Sequence, residues 1–573
     1  MVNLQNTNAE INVRSIYLFI VAAILVYIPA LYVDVMDVDA AQYASLSREM
    51  LETGNWFEVH HRGNDYLDKP PLLFWLSAMS FKILGYSNFA YKLPSFLFAL
   101  LGIFATGKLA ELLYDKVTGA IAALMAATGL GVFIMCNDIR TDTMLFGSIS
   151  LALWQILLFV KTKNWSHLFL GFAAIGLAML SKGPLGLVMP AMALVCEFAY
   201  KRQWVNFFRW QWLVGLSIVA LMLIPMCYGL YHQFDLHPEK TVNGHTGVSG
   251  LRFYFWTQSF GRITGESDWG TKYDNGAGPF FFTHTFLWVF FPWSLFVAGG
   301  LIKNLIILVK TRFRAGYLNE MLSIGGFIMI FLALSSSRYK LPHYIYVLFP
   351  LASVIGARFF IHDVIRGSRA WLRNSVHILF VVIYVALMIL TLLILFFIFP
   401  GADLIIIITG LFWFVAGIIM FLKLKTYPTR YLFLLLSGLL GAYYTANTHF
   451  YPNLLNYQSD TVAGKMAANE NVPKGALLMY GDVFEHSIDF YSGNRIEGLY
   501  PDSAQLMQYI SKYNSVWYYT DTEGKALIEK SGLKVVSVKE LDHFSVQFLT
   551  TRFLNPATRS ETLRKRYFIR ISA

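Results

Sequence analysis

Charge and cysteine are both scarce in this chain. Asp, Glu, Lys and Arg make up only 14% of its residues while 56% are hydrophobic, and apolar runs of roughly 18 to 25 residues recur from end to end. That excludes an ordinary soluble globular protein and describes a polytopic membrane protein. The three cysteines, Cys136, Cys196 and Cys227, lie in or beside apolar segments and are odd in number, which argues against a disulfide framework and against redox chemistry. No internal repeat or low-complexity tract is evident. A removed leader is not expected either, because the first apolar run, residues 16–33, is too long for a signal-peptide core and has no small-residue cleavage site. The formal net charge is +11, yet the Lys and Arg sit mainly in short loops between apolar runs. They report topology and do not point to nucleic acid.

Hydropathy places membrane spans near residues 15–33, 90–113, 117–136, 143–160, 167–181, 184–200, 211–231, 281–302, 319–336, 342–362, 375–399, 402–422 and 429–448, about thirteen in all. With a cytoplasmic N-terminus, every strongly basic short loop falls on the cytoplasmic side: Lys161 and Lys163; Lys201, Arg202 and Arg209; Lys303 to Arg314; Arg366 to Arg373; and Lys423 to Arg430. The other side receives segment 34–89, the turns 137–142, 181–184 and 335–340, the stretch 232–280, and everything after residue 449. Segment 34–89 reads as structured, with helical spacing over 40–51 and an apolar helix over 71–84 too short to span comfortably. The stretch 232–280, with its Gly-His-Thr-Gly run at 244–247 and the motif at 269–274, reads as a lid.

After residue 450 the pattern becomes that of a small α/β domain outside the membrane. Strands are expected over 475–480, 515–519, 534–538, 544–548 and in the basic, apolar tail 563–571, with a helix over 502–512. The expected division is therefore a membrane domain, 1–450, with extracytoplasmic loops 34–89 and 232–280, followed by a soluble domain, 451–573.

The residues that carry chemistry converge on the extracytoplasmic side, although none was used to choose the orientation. Asp37 and Asp39 directly follow the first span, where a carboxylate beside a reacting centre can bind a divalent ion or act as a general base; the plain alternative is two acids on the wet end of a helix. In Tyr66-Leu67-Asp68-Lys69-Pro70-Pro71, the prolines fix the start of the next helix, so Asp68 reads as a cap and Lys69 as a phosphate ligand. Asp142, at the start of a span, can cap it, bind substrate hydroxyls or orient Lys182. Lys182 itself lies in a Ser-Lys-Gly-Pro turn on the side where the charge rule does not call for a cation. Arg338-Tyr339-Lys340-Leu341-Pro342-His343-Tyr344 repeats that exception with two cations and two tyrosines, and reads as the best phosphate or diphosphate site.

Taken together, these residues resemble the GT-C glycosyltransferases of the protein O-mannosyltransferase type, and within them the bacterial branch that includes the lipid A aminoarabinose transferase. The resemblance covers roughly the first 450 residues in order: Asp39 with Tyr43 and Ser47-Arg48-Glu49-Met50, then Tyr66 to Pro71, Arg140-Thr141-Asp142, Ser181-Lys182-Gly183, and Lys340 to Tyr344. It implies a bacterial inner-membrane enzyme with a polyprenyl-phosphate sugar donor and an acceptor that is a lipid, a glycan or a protein. It places Asp39 on the family's catalytic acid or base, with Asp142 in the same catalytic set. Lys69 falls on the lysine that binds carrier phosphate, and Tyr66, Asp68, Lys182, Arg262, Arg338, Lys340 and Tyr344 fall on substrate-contacting positions.

The departures from the family pattern are specific. Ala40 stands where the branch carries Glu, Asp68 also replaces Glu, and Gln258 and Ser259 stand where a Glu-His pair is expected. No metal site and no lipid A acceptor is therefore carried over, and a divalent ion stays an open alternative. The expected reaction is a single displacement at the anomeric carbon. Asp39 takes or orients the acceptor proton, while Lys69 and the neighbouring cations stabilise a leaving phosphate that needs no general acid. A transporter or flippase of an amphipathic anion is the alternative from another class, but the gathering of polar residues at one surface instead of the midplane favours an enzyme.

Overall fold

The computed structural model describes residues 12–242, 244–261, 264, 276–424, 429–481, 483, 486–494, 497–498 and 503–572. Arg262 and the motif at 269–274 lie outside the described residues. The long apolar runs are helices, the form in which a lipid-embedded backbone satisfies its own hydrogen bonds. Their inward faces share one large hydrophobic core, built from Ile16 to Phe490.

Among the described residues, eight helices are long and apolar enough to cross a membrane, or nine if the bent pair Lys116–Thr128 and Leu130–Asn137 forms one span. That is fewer than the expected thirteen, for visible reasons. Leu185–Tyr200 and Leu322–Ser336 are helical but short. The run at 281–302 is two helices, Phe281–Val289 and Ser294–Lys310, interrupted around Pro292, which lacks the amide that would continue the ladder.

Segment 34–89 is structured, as its patterning suggested. The helix Asp39–Thr53 is followed by a two-residue hairpin, His60–His61 against Asn64–Asp65. The hairpin loop residues Arg62 and Gly63 both have positive φ, the geometry that lets so short a loop follow the strand twist. Glu49 fastens the loop to the helix by accepting the Arg62 and Gly63 amides at 2.6 and 2.7 Å. The apolar helix Leu72–Leu84 follows directly on Pro70 and Pro71.

The C-terminal part forms a five-stranded mixed sheet in the order 497–498, Leu477–Tyr480, Ser515–Thr520, Arg564–Ser572, Lys534–His543. The first three strands are parallel and the last two pair antiparallel. One expected strand is absent: residues 544–548 leave the sheet. Phe544 and Val546 instead pack with Leu454, Leu455 and Phe553, so that burial against these side chains overrides their strand-like alternation.

The C-terminal part is tied to the first loop by polar contacts from Gln458 and the helix His486–Ser492. Asp37 accepts from the Ser487 amide and hydroxyl at 3.2 and 2.8 Å. Gln458 accepts the Asp37 amide at 3.0 Å and donates to the Val35 carbonyl at 3.0 Å. Arg48 donates to the Phe490 carbonyl at 2.7 Å. The face that carries the first loop therefore also carries the C-terminal sheet.

Candidate functional site

Three local features set the candidate side chains. Gly183, at φ +73°, ends the helix Trp165–Lys182, a backbone state a side chain would strain. Lys182 is thereby the last residue of its helix, and Pro184 starts the next helix. At Asp142 the cap reading does not hold. Arg140 occupies the N-cap of Thr141–Thr162 with no side-chain cap bond, and Asp142, 2% exposed, sits in the first turn. Its carboxylate pairs with the Lys182 amine and has His343 Nε2 at 4.0 Å. Nor does Asp68 cap the following helix, whose N-cap is Pro71. The Asp68 carboxylate instead pairs with Lys69 and accepts from Gln258 Nε2 at 2.8 Å, and the same amide nitrogen donates to the Asp68 carbonyl.

Lys69 and Lys182 come together on the wall of one cavity of about 140 Å³. With the two lysines it is lined by the polar Gln258, Ser259, Ser337 and Tyr344 and by the apolar Pro70, Pro184, Leu185, Val188, Phe260, Ile330, Ala333 and Leu334. The Tyr344 ring lies 4.5 Å from the Lys182 amine, a cation–π contact. A smaller cavity on the other side of Lys69, Pro70 and Gln258 is lined by Tyr66 and Asp68.

Asp39 belongs to an adjoining group. It is paired with Arg140, which also donates to Asp138 at 2.7 Å. Burial works against the charged guanidinium, but Asp138 and Asp39 override it and the net shift of Arg140 is upward. The buried Tyr43 hydroxyl is pushed well up, first by burial and then by Tyr66, Asp39 and Asp68, so it stands within electrostatic reach of both groups. Tyr346 bridges from the other direction, with Asp138, Asp142 and Arg140 as charged neighbours.

Asp37, two residues before Asp39, faces away into the contact with Ser487 and Asp460. Arg338 is exposed and follows Ser337 at the cavity edge. Lys340 is buried and donates to the Ala277 carbonyl at 3.0 Å. Neither of these cations lines the cavity, although Tyr344 of the same segment does.

Arg140 and His343 stood in the sequence only as members of motifs and Gln258 only as a departure from the family pattern, none with a role assigned, and His486 was not singled out. Arg140 carries the signal that singled out Lys182, a cation at the membrane end where the charge rule does not ask for one. His486, which has Arg62 and Asp39 as charged neighbours, reaches the site only through chain-distant packing and has no sequence signal. Among the described residues, no group of three or more His, Cys, Asp or Glu side chains is arranged to hold a metal ion. The amide and hydroxyl of Gln258 and Ser259 are poor substitutes for carboxylate and imidazole ligands.

Residues 68–228 match the model for dolichyl-phosphate-mannose-protein mannosyltransferases. An undecaprenyl phosphate-α-4-amino-4-deoxy-L-arabinose arabinosyl transferase of Edwardsiella ictaluri is 25% identical over 55% of this chain and 53% of its own. The enzyme of that name from Enterobacter sp. is 24% identical over 60% of this chain and 59% of its own. The chain thus spans about half the length of the curated relatives it matches. Crystal structures of ArnT from Cupriavidus metallidurans superpose with TM-scores of 0.71, bound to undecaprenyl phosphate, and 0.68, in the apo state. The first covers 98% of both chains at 17% identity. The fold is shared, and the resemblance read from the sequence is borne out.

Proposed function

We propose that this protein transfers a sugar from a polyprenyl-phosphate carrier to a lipid, glycan or protein acceptor at the extracytoplasmic membrane face. The observation that carries the reading is the cavity that joins two lysine amines to an apolar wall. A phosphate with a long hydrocarbon tail presents the same two chemistries in the same order. The relatives' names, which specify undecaprenyl phosphate and an amino sugar, support the donor class.

In this reading Lys69 and Lys182 hold the carrier phosphate, Tyr344 and Tyr66 wall the sugar, and Asp68 and Asp142 orient the two amines. The bond between the anomeric carbon and the phosphate oxygen breaks, and its electron pair leaves with the phosphate. The acceptor oxygen bonds to the anomeric carbon, and its proton passes to Asp39, which Arg140 holds in place. Arg338 and Lys340, on the segment that leads to Tyr344, serve as outer cations, and Arg262 completes the set.

The finer topology belongs to the same proposal. It has about thirteen crossings, a cytoplasmic N-terminus, a membrane domain over 1–450, and an extracytoplasmic α/β domain over 451–573. The one-sided basic loops support the orientation. The contacts of the helix His486–Ser492 with Arg48 and Asp37 support placing the C-terminal part and the first loop on one face.

The test is reconstitution in vesicles with polyprenyl-phosphate sugar and a cell-envelope acceptor fraction. The expected result is sugar moving from carrier to acceptor, with polyprenyl phosphate retained by the intact protein and lost from Lys69→Ala and Lys182→Ala. Movement of the intact lipid-linked sugar between leaflets, without release of sugar, would support the transporter alternative instead.

A further inference from the structure

At the far end of the helix that begins beside Asp142 stands Lys161, roughly 30 Å away at 1.5 Å per residue. Two cavities meet there. One, of about 220 Å³, is walled almost wholly by apolar side chains, among them Ile156, Phe172, Leu187, Leu194 and Leu216. The other, of about 420 Å³, has Lys161, Lys163 and Lys201 in its wall. Phe198 and Asn206 line both, so the apolar groove runs up to a basic mouth.

The charge of that mouth is not balanced. Its one acid, Glu197, pairs with Lys201 and also accepts the Met321 and Leu322 amides at 2.6 and 3.0 Å. Lys161 and Lys163 rest on main-chain carbonyls, Leu112 at 2.6 Å and Val160, and each ammonium keeps further donors.

An independent feature sets the depth. Trp165 and Trp210 lie 5.5 Å apart by ring centroids, and Trp204, Trp210 and Phe208 beside the mouth are 59%, 60% and 89% exposed. Exposed tryptophans on a membrane protein mark the headgroup level, so the three lysines stand where lipid phosphates lie.

We propose that this groove and its basic mouth bind one anionic glycerophospholipid, with its phosphate against Lys161, Lys163 and Lys201 and an acyl chain along the apolar groove. The site lies across the membrane from the candidate active site and does not depend on the proposed reaction. Charge complementarity names the occupant, because basic pockets between membrane helices select anionic headgroups.

Native mass spectrometry of the full-length protein, after exposure to vesicles of phosphatidylglycerol or of phosphatidylethanolamine, reads this directly. One phosphatidylglycerol is expected to be retained in preference to phosphatidylethanolamine. Lys161→Gln with Lys163→Gln lowers that retention by at least about tenfold. Ala191→Phe, which fills the groove without touching charge, lowers it as well. Arg312→Gln with Arg314→Gln, on another basic loop assigned to the same face, leaves it unchanged. If the lysine pair fails to fold, Lys163→Gln alone, at an exposed amine, gives a loss of about fivefold. Equal retention of the two lipids, preference for polyprenyl phosphate, no effect of Ala191→Phe, or an equal loss in the arginine control would each overturn the proposal.

Discussion

Asp37 and Asp39 are separated by one residue, but they enter two different regions of the molecule. Asp37 is 5% exposed and is consumed by the seam between the first loop and the C-terminal sheet, where Ser487, Gln458 and Asp460 surround it. Asp39 keeps a side-chain exposure of 39% and touches Arg140 beside the two-lysine cavity. One carboxylate has its hydrogen-bonding capacity filled from within, so removing it costs stability. The other is oriented by a single cation and left open on one side, which suits proton transfer. The contrast distinguishes the two acids by their partners, where their spacing does not.

The largest expected effect breaks that comparison at its chemical end. Asp39→Asn should lower sugar transfer by about 10²- to 10⁴-fold, the usual worth of a positioned base, with the unfolding temperature nearly unchanged. Asp37→Asn should do the reverse, leaving transfer close to intact in the folded fraction. Next in size is the buried pair of Asp142 and Lys182. Asp142→Ala removes the lysine's carboxylate partner and should destabilise by about 3–5 kcal/mol, seen as a lowered denaturation midpoint in detergent. If stability holds and only transfer falls, Asp142 acts on substrate directly.

Ser487→Ala sharpens the seam side. It leaves Asp37 short of a buried donor at a cost of about 1–3 kcal/mol, and faster amide exchange in the helix His486–Ser492 measures it. A pH dependence is expected at the same seam. Burial, then His486 and Arg62, push the His61 imidazole down to about 3, and burial and Arg62 push His486 down to about 4. Their rings stand 4.9 Å apart. Because both native values lie below the ordinary 6.5, the unfolded seam binds protons first. Stability is therefore fully present above about pH 6.5 and is lost as pH falls toward 4. Amide exchange in residues 486–494 should accelerate over that window, and His61→Gln should flatten the profile.

Much of this was legible in the sequence because membrane burial imposes simple rules. Apolar runs became helices, and Lys182 stood out as an exception to the charge pattern read from the loops. Lys69 and Tyr344 could be named because prolines and an unusual cation marked their segments. What stayed hidden depends on contacts between distant parts of the chain. Nothing local distinguishes Asp37 from Asp39 until Ser487, 450 positions later, docks on one of them. Arg338 and Lys340 read as the foremost phosphate cations, yet one is exposed and the other is buried against the Ala277 carbonyl. The strand-like 544–548 was taken into the packing beside Leu454 and Phe553, which its alternation does not foretell.

The most direct test of the central claim is mass spectrometry of polyprenyl-phosphate sugars and envelope glycoconjugates in three strains, carrying the intact protein, none, or Asp39→Asn. The account predicts that a single polyprenyl-phosphate sugar accumulates in both defective strains while one glycoconjugate loses that sugar. Unchanged glycoconjugates in the strain that lacks the protein would contradict sugar transfer. An Asp39→Asn strain that matches the intact one would contradict the role assigned to Asp39.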